Sequence, residues 1–375
     1  MKITIEEVQS KRDLKRFISF PFELYAGSPY WVPPLRFDEM NTLRKERNPA
    51  FDSCKAAYWL ALDNGNVVGR IAGIVNQKYN EIWGKKCARF GWVDFVDDRN
   101  VSEALFRTAE SWAYRQGLDE MHGPMGFTDM DREGMLVEGF EELGTLATIY
   151  NYPYYPRHLE QLGYQKDADW VEYEMIPSQT IPEKVQRLAA LVTERYHLTT
   201  LRPKKAKEIL PYAREIFELI NTTYAHLYGF VPLSEKQIDS YVKQYFGFIR
   251  PEYVPIVVDQ HGRVAAFGIT MPSMSLALQK THGKLFPFGF IALYRAMNHN
   301  DRVDLYLTAV RPDFQDKGVN AILIYEMNVL YAKRKIMRVE SNPELESNTK
   351  VRAQWRFYEG RQHKRRRCYL KHLTA

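Results

Sequence analysis

Between Asp304 and Ala321 the chain runs through a β-rich stretch ending in Leu-Thr-Ala-Val310. It then passes a polar stretch, Arg-Pro-Asp-Phe-Gln315-Asp-Lys-Gly318-Val-Asn320, and opens a helix with Ala321-Ile-Leu-Ile. A strand that turns directly into a helix leaves free backbone N–H groups pointing outward, and the helix dipole adds positive potential at the same place. Gly318 lets the main chain approach a ligand with no side chain between. The chemistry is anion binding, and a pyrophosphate fits it. Val310, Gln315, Asp316, Lys317, Gly318, Val319, Asn320 and Ala321 form this candidate cofactor loop. The same pattern also fits a tight turn whose glycine serves only its own conformation.

The strand, the Val310-x-Pro312 pair and Gln315-x-x-Gly318-x-Asn320 resemble the acetyl-CoA pyrophosphate motif of the Gcn5-related N-acetyltransferase (GNAT) superfamily. That motif runs Gln or Arg, two residues, Gly, one residue, then Gly or Ala, so Asn320 departs from its last position. The resemblance implies acetyl-CoA or another acyl-CoA as co-substrate, no metal, and a pantetheine arm lying along the strand before the loop. Tyr30-Trp31-Val32-Pro33-Pro34, Gly123-Pro124 and the segment around Asn151 resemble bacterial tandem acetyltransferase-like proteins, a likeness spanning most of the chain.

N-acyl transfer needs a neutral amine, hence a base, and a donor that protonates the departing thiolate. Asp304 lies six residues before Val310, the spacing at which the histone-acetyltransferase branch of the superfamily carries its general-base glutamate. An aspartate is shorter, so a water would bridge it to the amine. Its alternative role is a strand-edge carboxylate paired with Arg302 or Arg311. Glu340, on the strand after the loop helix, is a second candidate base. Tyr358 in Trp355-Arg-Phe-Tyr358 matches the tyrosine that family members use as proton donor, although Phe357 could take that place with Tyr358 turned to solvent.

These groups need a scaffold, and the sequence spells one twice. The first half reads strand at Ile3–Val8, helix at Asp13–Tyr25, and a hairpin around Asp63-Asn64-Gly65, whose Asn-Gly pair favours a tight turn. A strand at Arg89–Phe95, a helix at Val101–Gln116, a short strand near Glu120, a helix at Pro156–Leu162 and a strand at Trp170–Met175 follow. The second half repeats the order: a strand at Leu198–Leu201, a helical Ala206–Tyr228, a hairpin around Asp259–Arg263, strand Val303–Val310 and helix Asn320–Ala332. Strand Met337–Glu340, helix Lys350–Tyr358 and strand Arg366–Lys371 close it. The expectation is a mixed α/β protein of two tandem GNAT-like domains, 1–178 and 183–375, joined through Pro177–Pro182. Only the second carries the cofactor loop. In the first, Val96-Asp97-Asp98-Arg99-Asn100 stands in its place, without glycine and with two carboxylates that repel phosphate.

Composition agrees with two packed domains. The chain has 375 residues, 45% of them hydrophobic and 26% charged, which excludes disordered and fibrous classes. The net charge of +6 is concentrated near the end, in His363-Lys364-Arg365-Arg366-Arg367, whereas nucleic-acid binding usually shows a broader basic stripe. That run reads as the solvated edge of a strand or as a contact for a coenzyme phosphate or an acidic substrate. Three cysteines, Cys54, Cys87 and Cys368, have no metal-ligand spacing and point to a reducing compartment. No signal-like or membrane-spanning run is present, so a cytoplasmic protein without stable membrane insertion is expected.

The stretch Pro272–Met297 is longer than the turn usual at that place in single-domain acetyltransferases. It suits a lid over the acyl group or packing between the two copies. The functional expectation is an N-acyltransferase acting on the amine of a small molecule or amino acid. The other reading is a non-catalytic acyl-CoA or metabolite sensor.

Overall fold

A computed structural model describes residues 2–245, 247, 249–352, 355 and 358–374. The first seven strands are β1 (Ile3–Glu7), β2 (Cys54–Asp63), β3 (Asn66–Asn76), β4 (Cys87–Phe95), β5 (Glu120–Gly123), β6 (Met135–Glu138) and β7 (Gln165–Ile176). The next seven follow the same succession: β8 (Thr199–Leu201), β9 (Ile256–Val258), β10 (Val264–Pro272), β11 (Arg302–Val310), β12 (Arg338–Glu340), β13 (Glu344–Leu345) and β14 (Glu359–His372).

The helices keep step with the strands. α1 (Lys11–Leu24) and α2 (Arg36–Thr42) lie between the first two strands, then α3 (Gln77–Trp83), α4 (Arg99–Arg115) and α5 (Tyr154–Gln161). α6 (Glu183–Arg195) follows the connection at 177–182. α7 (Leu210–Thr223) and α8 (Glu235–Tyr245) match α1 and α2 in order, and α11 (Asn320–Arg334) and α12 (Thr349–Arg352) match α4 and α5. Between β10 and β11 two extra helices appear, α9 (Ser275–Thr281) and α10 (Gly289–Asn298). No helix among the described residues is long and apolar enough to cross a membrane.

All strands join one mixed sheet in the order β1-β2-β3-β4-β5-β14-β7-β12-β11-β10-β9-β8, with β6 beside β14 and β13 beside β7. The halves exchange their last strands. β14 pairs with β5 of the first half, through Tyr369 opposite Gly123, while β7 pairs with β12 of the second, through Val339 opposite Met175. At the centre β7 and β14 run antiparallel from Ile176 opposite Glu359 to Gln165 opposite Leu370.

This exchange corrects the reading of the basic run as a solvated edge. β14 is a central strand, and its alternation places Lys364 and Arg366 on one face, both 1% exposed. Charges so buried require partners. Glu172 of β7, fully buried, bonds Arg366 Nε and lies 3.1 Å from Lys364 Nζ. Arg365 and Arg367, on the other face, both pair with Asp169. Of the expected last helix, α12 covers Thr349–Arg352 and Tyr358 immediately precedes β14, while residues 353, 354 and 356 lie outside the described residues. Phe357 lies outside them too.

Each half has its own apolar core. In the first, Phe90, Phe95, Leu105, Phe106 and Tyr155 pack α4 against the sheet. In the second, Val192, Ile322, Leu323, Tyr331 and Val339 pack α6 and α11 against theirs. The α9–α10 segment joins the two, because Met274, Leu278 and Leu293 cluster with Val32 and Leu35 of the first half. Gln279 Nε2 donates to the carbonyls of Pro29 and Trp31 at 2.9 and 3.0 Å.

Candidate active site

β11 and β12 run parallel and pair only over Arg302, Val303 and Asp304, opposite Arg338, Val339 and Glu340. Beyond Asp304 they part. The β12-facing edge of Leu305–Val310 is therefore unpaired with β12, while β11 stays paired with β10 on its other side and Tyr306 bulges out between Leu305 and Leu307. Leu305, Tyr306, Leu307 and Thr308 line a cavity of about 550 Å³. Tyr224 ties the open edge by accepting from Thr308 N–H at 3.3 Å and donating to its carbonyl at 2.8 Å.

At the end of β11 the loop is built as its residue types require. Asp316 and Gly318 adopt positive φ, 58° and 79°. A Cβ on Gly318 would lie 3.3 Å from Val192 Cγ2, so a larger residue would be both strained and crowded. Gln315 folds back, its Nε2 donating to the Val310 carbonyl at 3.0 Å. Ala321 and Ile322 donate to Gly318 and Val319 as α11 begins. Lys317 Nζ stands 5.4 Å from the Tyr196 ring centre. Asn320, the residue that departs from the motif, is the first of α11 and lines the cavity. The positive φ, the helix start and the adjacent cation make a cradle that fits a phosphate.

Asp304 stands at the apex of the fork, 3% exposed, with Oδ2 unpartnered. Burial, then the nearby Glu340 carboxylate, push its carboxyl up to about 7. The cavity wall begins one residue later, and Asp304 is not part of it. Neither expected arginine partner holds it by an ion pair: Arg311 is paired with Asp259 and Asp313 instead. Glu340 bonds Lys364 Nζ and lies 3.3 Å from His363 Nε2. Tyr358 accepts a bond from Asn328 Nδ2 at 3.0 Å, and burial pushes its phenol up to about 12.

No family model matches the chain. The chain is 30% identical over 371 residues to protein YghO of Escherichia coli (strain K12), covering 97% of this chain and 94% of that protein. Its fold matches a tandem GNAT protein from the clavulanic acid biosynthesis pathway at a TM-score of 0.58 and 13% identity, covering 100% of this chain and 99% of that one. The chain belongs to the family of protein YghO, and its fold is that of tandem GNAT proteins. It is also 28% identical over 306 residues to the bacterial ceramide synthase of Caulobacter vibrioides (strain NA1000 / CB15N), over 78% of this chain and 75% of that protein.

In this tandem GNAT fold the two forks are not equivalent. β4 and β5 also part after three pairs, at Arg89 opposite His122, but the first fork is filled. Tyr155 stacks on Phe95 with ring centres 4.3 Å apart and accepts the Phe95 N–H at 3.0 Å. Met125 N–H bonds the Phe90 carbonyl, and a Cβ on Gly91 would meet Met125 O at 2.4 Å. The start of α4 is capped by the chain's own Asp98, which accepts from Asn100 N–H at 2.7 Å.

Instead, the first half supplies one wall of the cavity and most of its ionisable groups. Asp38, Asp129, Asp131 and Glu133 all line it. Burial pushes Asp38 and Asp131 up to about 6 and Asp129 up to about 7, and drives Glu133 well above the usual carboxylate range. Asp131 accepts the N–H groups of Phe127 and Thr128, whereas Asp129 Oδ1 has no partner. From the second half comes Glu344, which receives the Trp355 indole N–H at 2.7 and 2.8 Å and is pushed by burial to about 7. The sequence reading missed these groups. Thr128-Asp-Met-Asp-Arg-Glu133, framed by Gly126 and Gly134, held the available signal: three closely spaced carboxylates in an otherwise apolar stretch.

Proposed function

We propose that the protein transfers an acyl group from an acyl-CoA, held at Val310 and Gln315–Ala321, to the amine of a long-chain amphiphile. The observation that carries this reading is the cavity itself. It extends from the open edge of β11 to Asp129, Asp131 and Glu133 of the other half, and most of its wall is apolar, including Leu35, Ile216, Phe217, Leu323 and Met327. A site of this kind takes an apolar body and orients it by a few polar groups. The carboxyl groups there hydrogen-bond an amine head. Asp38 and Asp131, raised only to about 6 and so ionised at neutral pH, favour its cationic form, while the apolar remainder takes its chain. The ceramide synthase relative supports the same acceptor class, because a ceramide is the amide of a fatty acid with a long-chain amino alcohol.

Bound at the loop, an acyl-CoA would supply the activated thioester. The backbone along Leu305–Val310 orients it and polarises its carbonyl through hydrogen bonding. Two carboxylates held near 7 then stand at the fork for proton removal: Asp304 at the apex, through a water, and Glu344 on the wall. A base poised near the working pH is the efficient one. Tyr358 keeps its proton at neutral pH and is the proposed donor to the departing thiolate. Glu340, engaged by Lys364, supports the interface beneath.

Following thiol release with a series of acyl-CoAs against long-chain amino alcohols, short amines and amino acids tests this. The expected outcome is turnover with the long-chain amino alcohol, with Asp38→Asn and Asp131→Asn raising KM for the amine while acyl-CoA affinity holds. Acyl-CoA binding without thiol release across the whole panel would make the protein a sensor. Equal turnover of short and long amines would remove the amphiphile from the reading.

A further inference from the structure

The α9–α10 segment covers part of the cleft between the halves, yet its outer face is covered by nothing. Phe286 and Phe288 are 76% and 74% exposed, Tyr294 62% and Leu276 59%, and Phe290 and Ile291 are also exposed. Isolated exposed apolar side chains are ordinary, but six on one short helical hairpin make a patch that marks an interaction surface. The charge along the segment itself has one sign. From Pro272 to Asn300 the chain contains no Asp or Glu, while Lys280, Lys284 and Arg295 are all exposed.

The hairpin also borders the cavity. The Arg36 N–H bonds the Gly283 carbonyl at 3.2 Å, directly after Pro34 and Leu35 on the cavity wall. The Arg250 guanidinium lies 5.6 Å from the Tyr294 ring centre, directly after Ile249 on the same wall.

We infer that this hairpin docks the protein on the surface of an anionic phospholipid bilayer, with the phenylalanines entering the interface and the three cations facing lipid phosphates. Aromatic side chains favour the depth of the headgroups, and basic side chains near an anionic leaflet add attraction. Pairing of this patch with a second copy of the chain is disfavoured by the same charges, since a two-fold contact sets Lys280, Lys284 and Arg295 against themselves. The inference does not depend on acyl transfer; where that reading holds, docking places the cavity rim at the source of an amphiphilic amine.

Flotation of the full chain with phosphatidylglycerol-rich and with pure phosphatidylcholine vesicles tests it. The expected result is co-flotation with the anionic vesicles, reduced about tenfold or more in the triple variant Phe286→Ser, Phe288→Ser, Phe290→Ser. Lys280→Glu with Lys284→Glu should abolish the preference for anionic lipid. As these side chains are exposed, circular dichroism should stay unchanged. A second readout places an environment-sensitive fluorophore on Phe288→Cys, the native cysteines being buried; its emission should shift to the blue on anionic vesicles. Failure of the unmodified chain to float, equal flotation of the triple variant, or a label that remains in water would each overturn the inference. So would a dimer that the triple variant splits while neither form binds vesicles.

Discussion

Arg366 of β14 donates its Nε–H to Glu172 of β7, and neither side chain is more than 1% exposed. The pair sits where the two halves exchange strands, so it joins residues that are 194 apart in the chain. Burial alone would raise the Glu172 carboxyl, but Arg366 and Lys364 outweigh it and hold it down at about 2.

Removing one member should therefore be costly. Arg366→Met leaves a buried carboxylate with only Lys364, and a loss of about 3–5 kcal/mol in unfolding free energy is expected. The double variant Arg366→Met, Glu172→Met should recover part of that loss, which a denaturant double-mutant cycle measures. The pH sign follows from the depressed carboxyl: its contribution is full above about pH 4 and is lost as pH falls toward 2. Equal acid sensitivity of the double variant and the parent would overturn this account.

At the cofactor loop, Gly318→Trp should weaken coenzyme A binding by tenfold or more, given the positive φ and the 3.3 Å approach of Val192. Calorimetry with coenzyme A reads this directly. Unchanged affinity would move the coenzyme away from the second fork.

The fork carboxylates can be separated by variants that keep shape and remove charge. Loss of the base should lower turnover by about 10²- to 10⁴-fold with coenzyme affinity kept. Asp304→Asn and Glu344→Gln each test one group, and the smaller effect identifies the one that only shapes the site. In the unmodified protein turnover should fall as pH drops through about 7, where both carboxyls take up protons. Stability has the opposite sign. Asp304 is raised above its unfolded value of about 4, so its ionisation works against the fold as pH rises from about 4 to 7. Asp304→Asn should accordingly raise the melting temperature at pH 8 and have little effect at pH 4.

Short-range chemistry made much of this protein legible without its structure. Asn64-Gly65 takes the positive φ values of a two-residue hairpin turn, Gly318 takes the one its loop demands, and the order of elements repeats as the apolar periodicities indicate. These features depend on a few neighbouring residues, and local sterics and backbone hydrogen bonding decide them. Tertiary structure decided the rest. Alternation along β14 shows that Lys364 and Arg366 share a face, but not that Glu172 of another strand lies beneath them, because strand neighbours are chosen by packing far along the chain. The same holds for the cavity. Asp129 and Glu344 belong to different halves yet line the same cavity, and burial there lifts their carboxyls toward neutrality.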